Sequence, residues 1–148
     1  MTKNLDNEGL QSIAENYDLF YIDLWGVIHN GIQLHEDAIF TLKNLLKTNK
    51  DFVLLTNAPR PIKPVKEFLE KMGMEKELRD KVFTSGEAAL NYLKKFYSLK
   101  LFYHIGPPRD FDLFNDFRNN KSQDINKSQY FLCTGLFDDY DQDLNYYK

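Results

Sequence analysis

Residues 19–31 read LFYIDLWGVIHNG, an apolar run that ends in one carboxylate and then passes into glycine-flanked turns. The continuous apolar stretch Leu19–Ile22 is typical of a strand that is covered on both faces of a sheet. Asp23 follows this stretch directly. In open α/β sheets, ligands bind beyond the carboxyl ends of the strands. Asp23 therefore stands where a functional side chain is expected.

A second apolar strand is predicted at residues 52–55, and it ends at Thr56. If the two strands are neighbours, Asp23 and Thr56 face the same crevice. A carboxylate in that crevice could bind a cation through oxygen or attack a phosphoryl group as a nucleophile. The alternative is that Asp23, Thr56 and Asn57 only cap turns, and the pattern of residues alone leaves both interpretations open.

Helices and strands alternate along the rest of the chain. Helical spacing of apolar residues predicts helices near residues 10–17, 39–46, 62–72, 89–96 and 113–117, and further strands near 82–83, 101–105 and 130–133. Gly73 is placed to end the third helix, and Thr84 and Glu87 have the spacing of a capping box. The alternation predicts an α/β fold with a mainly parallel sheet and right-handed crossovers.

The composition suits a globular protein. Hydrophobic residues make up 43% of the 148 residues, charged residues make up 28%, and the formal charge is −3. We expect no nucleic-acid partner, because such proteins carry a basic stripe, and no membrane partner, because no apolar stretch approaches about 20 residues. The amino terminus lacks an apolar secretory segment and Cys133 has no disulfide partner, so we expect a reducing, cytoplasmic location.

The carboxyl-terminal stretch 136–148, LFDDYDQDLNYYK, starts like the acidic first turn of a helix and then stops. One interpretation is a frayed tail. We favour a chain that stops part-way through a larger fold. Half of a parallel sheet would leave an unpaired strand edge and an uncovered apolar face, so we also expect marginal stability.

Four segments carry a resemblance to a known family. They are FYIDLWGV at 20–27, FVLLTN at 52–57, TSGEAALNYL at 84–93 and YHIGPPRD at 103–110. Together they resemble the first half of a haloacid dehalogenase-superfamily hydrolase, specifically the class IIA group with a large α/β cap. The resemblance implies an incomplete, Rossmann-like, three-layer parallel sheet. It assigns the first half of the core to residues 1–84 and a partial, truncated cap to residues 85–148.

The resemblance also implies roles for individual residues. Asp23 would be the nucleophile that forms an aspartyl-phosphate on a small phosphorylated molecule. A carboxylate oxygen of Asp23 and the backbone carbonyl of Trp25 would hold Mg²⁺. Thr56 would hydrogen-bond the phosphoryl group, with Asn57 beside it. The two further candidate substrate-binding residues are Gly26 and Arg60.

The first motif departs from the family pattern at Trp25, where the family has an aspartate that protonates the leaving group. Indole is only a hydrogen-bond donor and does not titrate near neutral pH. General acid catalysis contributes typically ~10²–10⁴-fold, so an alkyl phosphate would be cleaved poorly. Trp25 is compatible with reactions at carbon–halogen or carbon–phosphorus bonds, which need no acid there. His29 is either a substitute acid or a plain loop histidine, and we favour the second interpretation.

The family's third motif supplies a lysine and its fourth supplies an acidic pair for Mg²⁺, and both follow the cap. Asp138 and Asp139 are adjacent acids, but they precede no core strand, so we give them no metal role. The remaining oxygens are too few for a tight Mg²⁺ site. Three hypotheses follow: an amino-terminal portion that is inactive alone, half of a split hydrolase whose carboxyl-terminal half is encoded separately, or a non-catalytic binding protein resembling a phospho-acceptor receiver.

Overall fold

The chain divides into two compact units. A computed structural model describes residues 5–6, 8–140 and 143–148. The first unit comprises the described residues up to Thr56 together with Val65–Phe83, and the second comprises Asn57–Pro64 and the described residues from Thr84 to Lys148. The division of this chain into the family's core at 1–84 and cap at 85–148 stays a prediction.

The first unit contains a three-stranded sheet in the order β1–β2–β3. Its strands β1 and β2 run parallel, and their register pairs Leu19 with Asp51 and Ile22 with Leu54. In chain order the elements are α1 (Gln11–Ala14), β1 (Leu19–Ile22), α2 (Glu36–Lys47), β2 (Asp51–Thr56), α3 (Ile62–Lys71), α4 (Lys76–Arg79) and β3 (Val82–Thr84). Helix α3 starts in the second unit and continues into the first from Val65 onward.

One face of this sheet is packed against the helices. The buried cluster consists of Leu24, Ile28, Leu42, Leu45, Phe52, Leu54, Leu69, Met74, Leu78 and Val82. Helix α2 supplies Leu42 and Leu45, which recur at helical spacing, and Glu36 and Asp37 in its first turn favour the helix start. Burying one such leucine stabilises a fold by about 1.5–3 kcal/mol, so this cluster fixes the positions of β1 and β2.

Helix α3 is followed by the turn that the sequence predicts at Gly73. The N–H of Gly73 donates to the carbonyl of Glu70 at 2.8 Å, and the N–H of Met74 donates to the carbonyl of Leu69 at 3.0 Å. These two bonds define a Schellman motif, which satisfies carbonyls that the helix end would leave unpaired. Met74 is buried directly after the turn, so the prediction of a helix ended by Gly73 is confirmed.

The second unit contains α5 (Ser85–Phe96) and a parallel pair of strands, β4 (Phe102–Ile105) and β5 (Tyr130–Cys133). Its smaller buried cluster consists of Leu90, Leu93, Phe102 and Phe117. His104 on β4 is also buried, and its Nε2 lies 2.9 Å from the hydroxyl of Thr134. Burial lowers the pKa of His104 to about 4, so this side chain is neutral at physiological pH and serves packing.

The prediction of an α-helix near residues 113–117 is wrong. The structure has 3₁₀ turns over Pro108–Asn120, and Phe117 has non-helical dihedral angles. Pro107 precedes the segment and Pro108 begins it, and the Asp and Asn residues that it contains have low helix propensity, so it does not settle into an α-helix. The side chains of residues 113 and 114 lie outside the described part of the chain.

Both ends of the chain are less helical than the spacing predicts. The first helix is the single turn α1, and the acidic stretch after residue 136 forms 3₁₀ turns at Asp138–Tyr140 and Leu144–Tyr147 instead of an α-helix. Residues 141 and 142, which the predicted helix includes, lie outside the described residues. Within the described segments, no helix is both long enough and apolar enough to cross a bilayer.

The start of α5 holds the loop that follows β2. The hydroxyl of Thr84 accepts a hydrogen bond from the N–H of Glu87 at 3.0 Å, which confirms half of the predicted capping box. The carboxylate of Glu87 accepts from the N–H of Ile62 at 3.1 Å, so it caps α3. The Thr84 hydroxyl donates to the carbonyl of Arg60 at 2.6 Å. The segment from Thr84 to Glu87 therefore caps the first turns of both α5 and α3.

Gly86 lies against the backbone of this loop. A Cβ atom at position 86 would stand 2.4 Å from the nitrogen and 2.5 Å from the oxygen of Arg60. We expect Gly86→Ala to destabilise the chain by about 1–3 kcal/mol, because the loop backbone must shift. The control is Gly135→Ala, whose Cβ would meet its nearest atom at 3.7 Å. Urea unfolding of both variants measures the difference, and equal stabilities would contradict the close packing.

Candidate functional site

Asp23 and Thr56 stand at the same edge of the first unit's sheet. Asp23 directly follows β1, and Thr56 is the last residue of β2. The register that pairs Ile22 with Leu54 places Asp23 level with Leu55 and one residue before the level of Thr56. Parallel strands present their carboxyl ends at one edge. The two side chains that the sequence expects to be neighbours are therefore brought to one edge by a single compact unit.

The carboxylate of Asp23 is exposed at the start of a tight turn. Its Oδ1 accepts a hydrogen bond from the N–H of Leu24 at 2.8 Å, the one hydrogen bond that the described residues give it. Leu24 is buried below it, and the N–H of Ile28 closes the turn on the carbonyl of Leu24 at 2.8 Å. The turn is thus anchored by the core while the carboxylate keeps lone pairs directed to solvent. This geometry accommodates both a turn cap and an acceptor of ligands.

Trp25 and Gly26 form the exposed side of this turn. Gly26 has φ +76°, which a side chain rarely tolerates, and its N–H donates to the carbonyl of His29 at 2.8 Å. The Trp25 ring lies edge-on to His29, with ring centroids 5.5 Å apart. The Trp25 ring also lies close to Gly31, where a Cβ atom would stand 2.6 Å from it. Trp25 is therefore a packing element of the loop as well as the residue beside Asp23.

His29 is a buried structural residue. Its ring packs against Trp25 and Phe68, and its Nδ1 accepts a hydrogen bond from the N–H of Gly31 at 3.0 Å. Burial lowers the pKa of His29, a neighbouring His35 lowers it further, and Asp23 partly opposes the shift. The lowered pKa reduces the share of imidazolium at pH 7 and makes His29 a poorer general acid, which supports its interpretation as a structural histidine.

The other predicted site residues belong to the second unit. Asn57 follows Thr56 in the chain and is exposed, whereas Arg60 is partly buried. The carbonyl of Ala58, between them, accepts hydrogen bonds from the N–H of Gly86 at 3.1 Å and the hydroxyl of Ser85 at 3.0 Å. The backbone from residue 58 to residue 60 is therefore held by α5, while the roles proposed for the side chains of Asn57 and Arg60 stay predictions.

An open cleft of about 290 Å³ borders Asn57 within the second unit. Residues from the loop after β2, the start of α5 and the end of β5 line it, including Asn57, Pro59, Ser85, Ala89, Cys133 and Thr134. Neither this cleft nor the attachment of residues 58–60 to α5 is predicted by the sequence. The spacing of Thr84 and Glu87 predicts a helix start, but it carries no information about the loop that the start contacts.

The oxygen atoms near Asp23 are of the type that binds magnesium, but they are too few to hold it. Asp23 offers a carboxylate and Trp25 a backbone carbonyl, and Mg²⁺ prefers oxygen ligands in an octahedral arrangement. Over the described ranges of the chain, no group of three or more His, Cys, Asp or Glu side chains converges on a metal position. These two oxygens alone do not make a metal site.

A family model described as haloacid dehalogenase-like hydrolase matches residues 20–118, about two thirds of the chain. The chain belongs to the haloacid dehalogenase-like hydrolase family. The match begins at Phe20 in β1, so it includes Asp23, β2 and Thr56. The family resemblance and the parallel α/β fold that the sequence predicts are both confirmed.

Solved structures share this haloacid dehalogenase-like fold. A haloacid dehalogenase-like hydrolase from Brucella suis is 27% identical, with a TM-score of 0.73, over 88% of this chain and 50% of that one. A possible sugar phosphatase from Cytophaga hutchinsonii gives 16% identity and a TM-score of 0.69 over 97% and 52% of the two chains. A 4-nitrophenylphosphatase from Thermotoga maritima is 22% identical, with a TM-score of 0.62, over 82% of this chain and 46% of that one.

This chain thus spans about half the length of these solved structures. A further match, a glycerol phosphate phosphatase from Mycobacterium tuberculosis, was solved in complex with calcium and in complex with magnesium. Its identity to this chain is 20–23%, which shows a shared fold. No curated protein matches the chain.

Proposed function

We propose that this chain carries the phosphoryl-acceptor part of a hydrolase centre that acts on a small phosphorylated molecule. Asp23 is the nucleophile, the hydroxyl of Thr56 binds the phosphoryl group, and Asn57 assists it. The observation that supports this most strongly is the parallel register of β1 and β2, which brings Asp23 and Thr56 to one sheet edge. Gly26 is the proposed further contact to substrate within the first unit, and the role of Arg60, which belongs to the second unit, stays a prediction.

The proposed reaction requires negative charge to be neutralised at the centre. A carboxylate that attacks a phosphate dianion must overcome like-charge repulsion, and hydrolases of this kind use a cation and fixed donors to do so. Mg²⁺ bound to the Asp23 carboxylate and the Trp25 carbonyl would neutralise that charge. The exposed carboxylate and its single hydrogen bond from Leu24 leave oxygen lone pairs for a cation.

We further propose that the 148 residues form an incomplete centre that is inactive alone. Trp25 stands where the family has a proton donor, and the neutral His29 does not replace it. Loss of general acid catalysis costs typically ~10²–10⁴-fold in rate. Two oxygen ligands also hold Mg²⁺ weakly. By the family resemblance, the groups that would complete the centre are a cation-binding acidic pair and a positive side chain beside the phosphate.

The finer placement is class IIA, whose large α/β cap would include the second unit from Ser85 onward. The parallel strands β4 and β5 and helix α5 give that unit an α/β character of its own. A cap of this kind sets substrate choice, so the phosphorylated molecule stays defined only by its class. The single cysteine, an exposed free thiol at Cys133, suits a reducing cytoplasmic setting.

A magnesium titration tests the assignment of Asp23. We expect the amide resonances of Leu24 and Trp25 to shift with Mg²⁺ and to saturate only near about 1 mM or above, because two ligands bind weakly. Asp23→Asn should abolish these shifts. Asp18→Asn, at the opposite end of β1, is the matched control and should leave them unchanged. Identical titrations of the Asp23→Asn variant and the unchanged chain would rule out Asp23 as a ligand.

A turnover assay tests the incompleteness. With Mg²⁺ and 4-nitrophenyl phosphate, we expect the chain and its Asp23→Asn variant to release product at the same background rate. The variant keeps a side-chain oxygen for the Leu24 N–H and changes an exposed group, so its unfolding free energy should stay within about 0.5 kcal/mol. Turnover above the variant would contradict inactivity. Tight, Asp23-dependent binding of a phosphate-mimicking fluoride would instead favour a receiver-like role.

A further inference from the structure

The side chain of Trp25 is an exposed indole beside the carboxylate of Asp23. Both residues are exposed, whereas Leu24 between them is buried. Trp25 is 65% exposed, although tryptophan is on average a highly buried residue type. The two exposed side chains share a neighbour, because the charge of Asp23 acts on His29 and the ring centroids of Trp25 and His29 lie 5.5 Å apart. A large apolar surface therefore borders the proposed nucleophile.

The indole is exposed, but its neighbours hold it in one position. The planes of the Trp25 and His29 rings meet at 89°, and His29 is itself buried and packed against Phe68, with ring centroids 5.6 Å apart. A Cβ atom at Gly31 would stand 2.6 Å from Cη2 and 2.8 Å from Cζ3 of the indole. Glycine at this position therefore leaves room for the indole, and a larger residue would displace it. A surface held in place in this way loses little conformational freedom when a ligand binds.

The backbone that carries Trp25 is held by hydrogen bonds within the loop. The N–H of Gly26 donates to the carbonyl of His29 at 2.8 Å. Isolated β-bridges join Trp25 with His29 and His29 with Leu34. Binding residues are commonly found on loops that a rigid scaffold positions, and this loop starts at the end of β1, where ligands of α/β sheets bind.

We propose that Trp25 is a substrate-binding residue whose indole stacks on an aromatic ring of the phosphorylated molecule, while Asp23 faces the phosphoryl group. The assignment rests on the proposed function, because it names the substrate class of the same site. That class comprises phosphorylated molecules whose organic part carries an aryl or heteroaryl ring close to the phosphorus atom. The backbone and the side chain of Trp25 then have separate roles, since the carbonyl is the proposed Mg²⁺ ligand and the indole contacts the ring.

An aromatic ring suits this surface better than a polyol does. Pairs of aromatic rings attract each other beyond what the apolar area that they bury contributes. The hydroxyl groups of a polyol need hydrogen-bond partners when they are buried. Two other exposed side chains of this loop, Val27 and Ile32, are apolar. The Oδ1 atom of Asn30 already accepts hydrogen bonds from the N–H groups of Ile32 and Gln33, both at 2.9 Å.

A binding experiment with three phosphonates tests the role of Trp25. The probes are benzylphosphonate, its saturated counterpart cyclohexylmethylphosphonate, and methylphosphonate, which share the charged group and differ in the organic part. Each probe is titrated into the full 148-residue chain at a constant Mg²⁺ concentration. The amide resonances of Leu24 and Gly26 give the dissociation constant for every variant. Because Trp25 is the only tryptophan in the sequence, its fluorescence reports contact with the indole directly.

We expect benzylphosphonate to change the Trp25 fluorescence and to bind about fivefold or more tighter than methylphosphonate. It should also bind about twofold or more tighter than cyclohexylmethylphosphonate, because only the planar ring stacks. Trp25→Leu should remove both preferences, and Trp25→Phe, which keeps a planar ring, should retain them in reduced form. Circular dichroism verifies that the variants fold. The proposal is overturned if benzylphosphonate leaves the Trp25 fluorescence unchanged, if it binds no tighter than its saturated counterpart, or if Trp25→Leu keeps the preferences.

A matched pair of glycine variants tests the fixed position of the indole without changing Trp25 itself. Gly31 and Gly73 have φ angles of +90° and +86°, so alanine strains the backbone similarly at both. The new Cβ meets the indole at position 31, whereas at position 73 no atom of the described residues lies within 4 Å of it. We expect Gly31→Ala to shift the Trp25 emission and to lower the preference for benzylphosphonate, and Gly73→Ala to change neither. Equal effects of the two variants would contradict the proposal.

The dependence of binding on Mg²⁺ separates this inference from the proposed function. Methylphosphonate carries no ring, so its affinity reports on the phosphoryl site alone. The proposed function requires Mg²⁺ to tighten the binding of methylphosphonate and Asp23→Asn to remove that effect. If this holds and benzylphosphonate has no advantage, the proposed function stands and the role of the Trp25 indole is refuted. If the advantage depends on Trp25 but the effect of Mg²⁺ does not depend on Asp23, the ring site is supported and the proposed function fails.

Discussion

The parallel pairing of β1 with β2 is the interaction on which the rest of the molecule depends. It sets Phe20 beside Phe52 and Ile22 beside Leu54, and thereby puts one face of both strands into the buried cluster. The same register carries Asp23 and Thr56 to one edge. Because side chains alternate along a strand, a slip of one residue would exchange the two faces. Core packing and the placement of the candidate site thus have a single origin.

Under the proposed function, this arrangement presents the Asp23 carboxylate as the acceptor of a phosphoryl group. The turn after β1 is anchored from below by Leu24, which leaves the Asp23 carboxylate exposed and accessible. Beside it, the indole of Trp25 does not titrate, and burial lowers the pKa of His29.

Local chemistry in the sequence was sufficient to predict where the strands lie and where two of the helices begin or end, but β1, which its apolar run predicts to be covered on both faces, has exposed side chains. Continuous apolar runs identify β1 and β2, and Gly73 and the Thr84–Glu87 spacing mark helix ends through bonds within a few residues. Contacts between distant segments were not predictable in this way. The closeness of Gly86 to the backbone of Arg60 and the burial of His29 depend on tertiary packing. The 3₁₀ turns replaced a predicted helix because prolines and short polar side chains outweighed apolar spacing.

The register of β1 and β2 can be measured directly by nuclear magnetic resonance on isotope-labelled protein, from contacts between the backbone atoms of the two strands. The account predicts parallel contacts that pair Phe20 with Phe52 and Tyr21 with Val53. An antiparallel pattern, or a parallel one shifted by a residue so that Tyr21 pairs with Phe52, would contradict it. Either result would separate Asp23 from Thr56 or turn the Tyr21 face into the core.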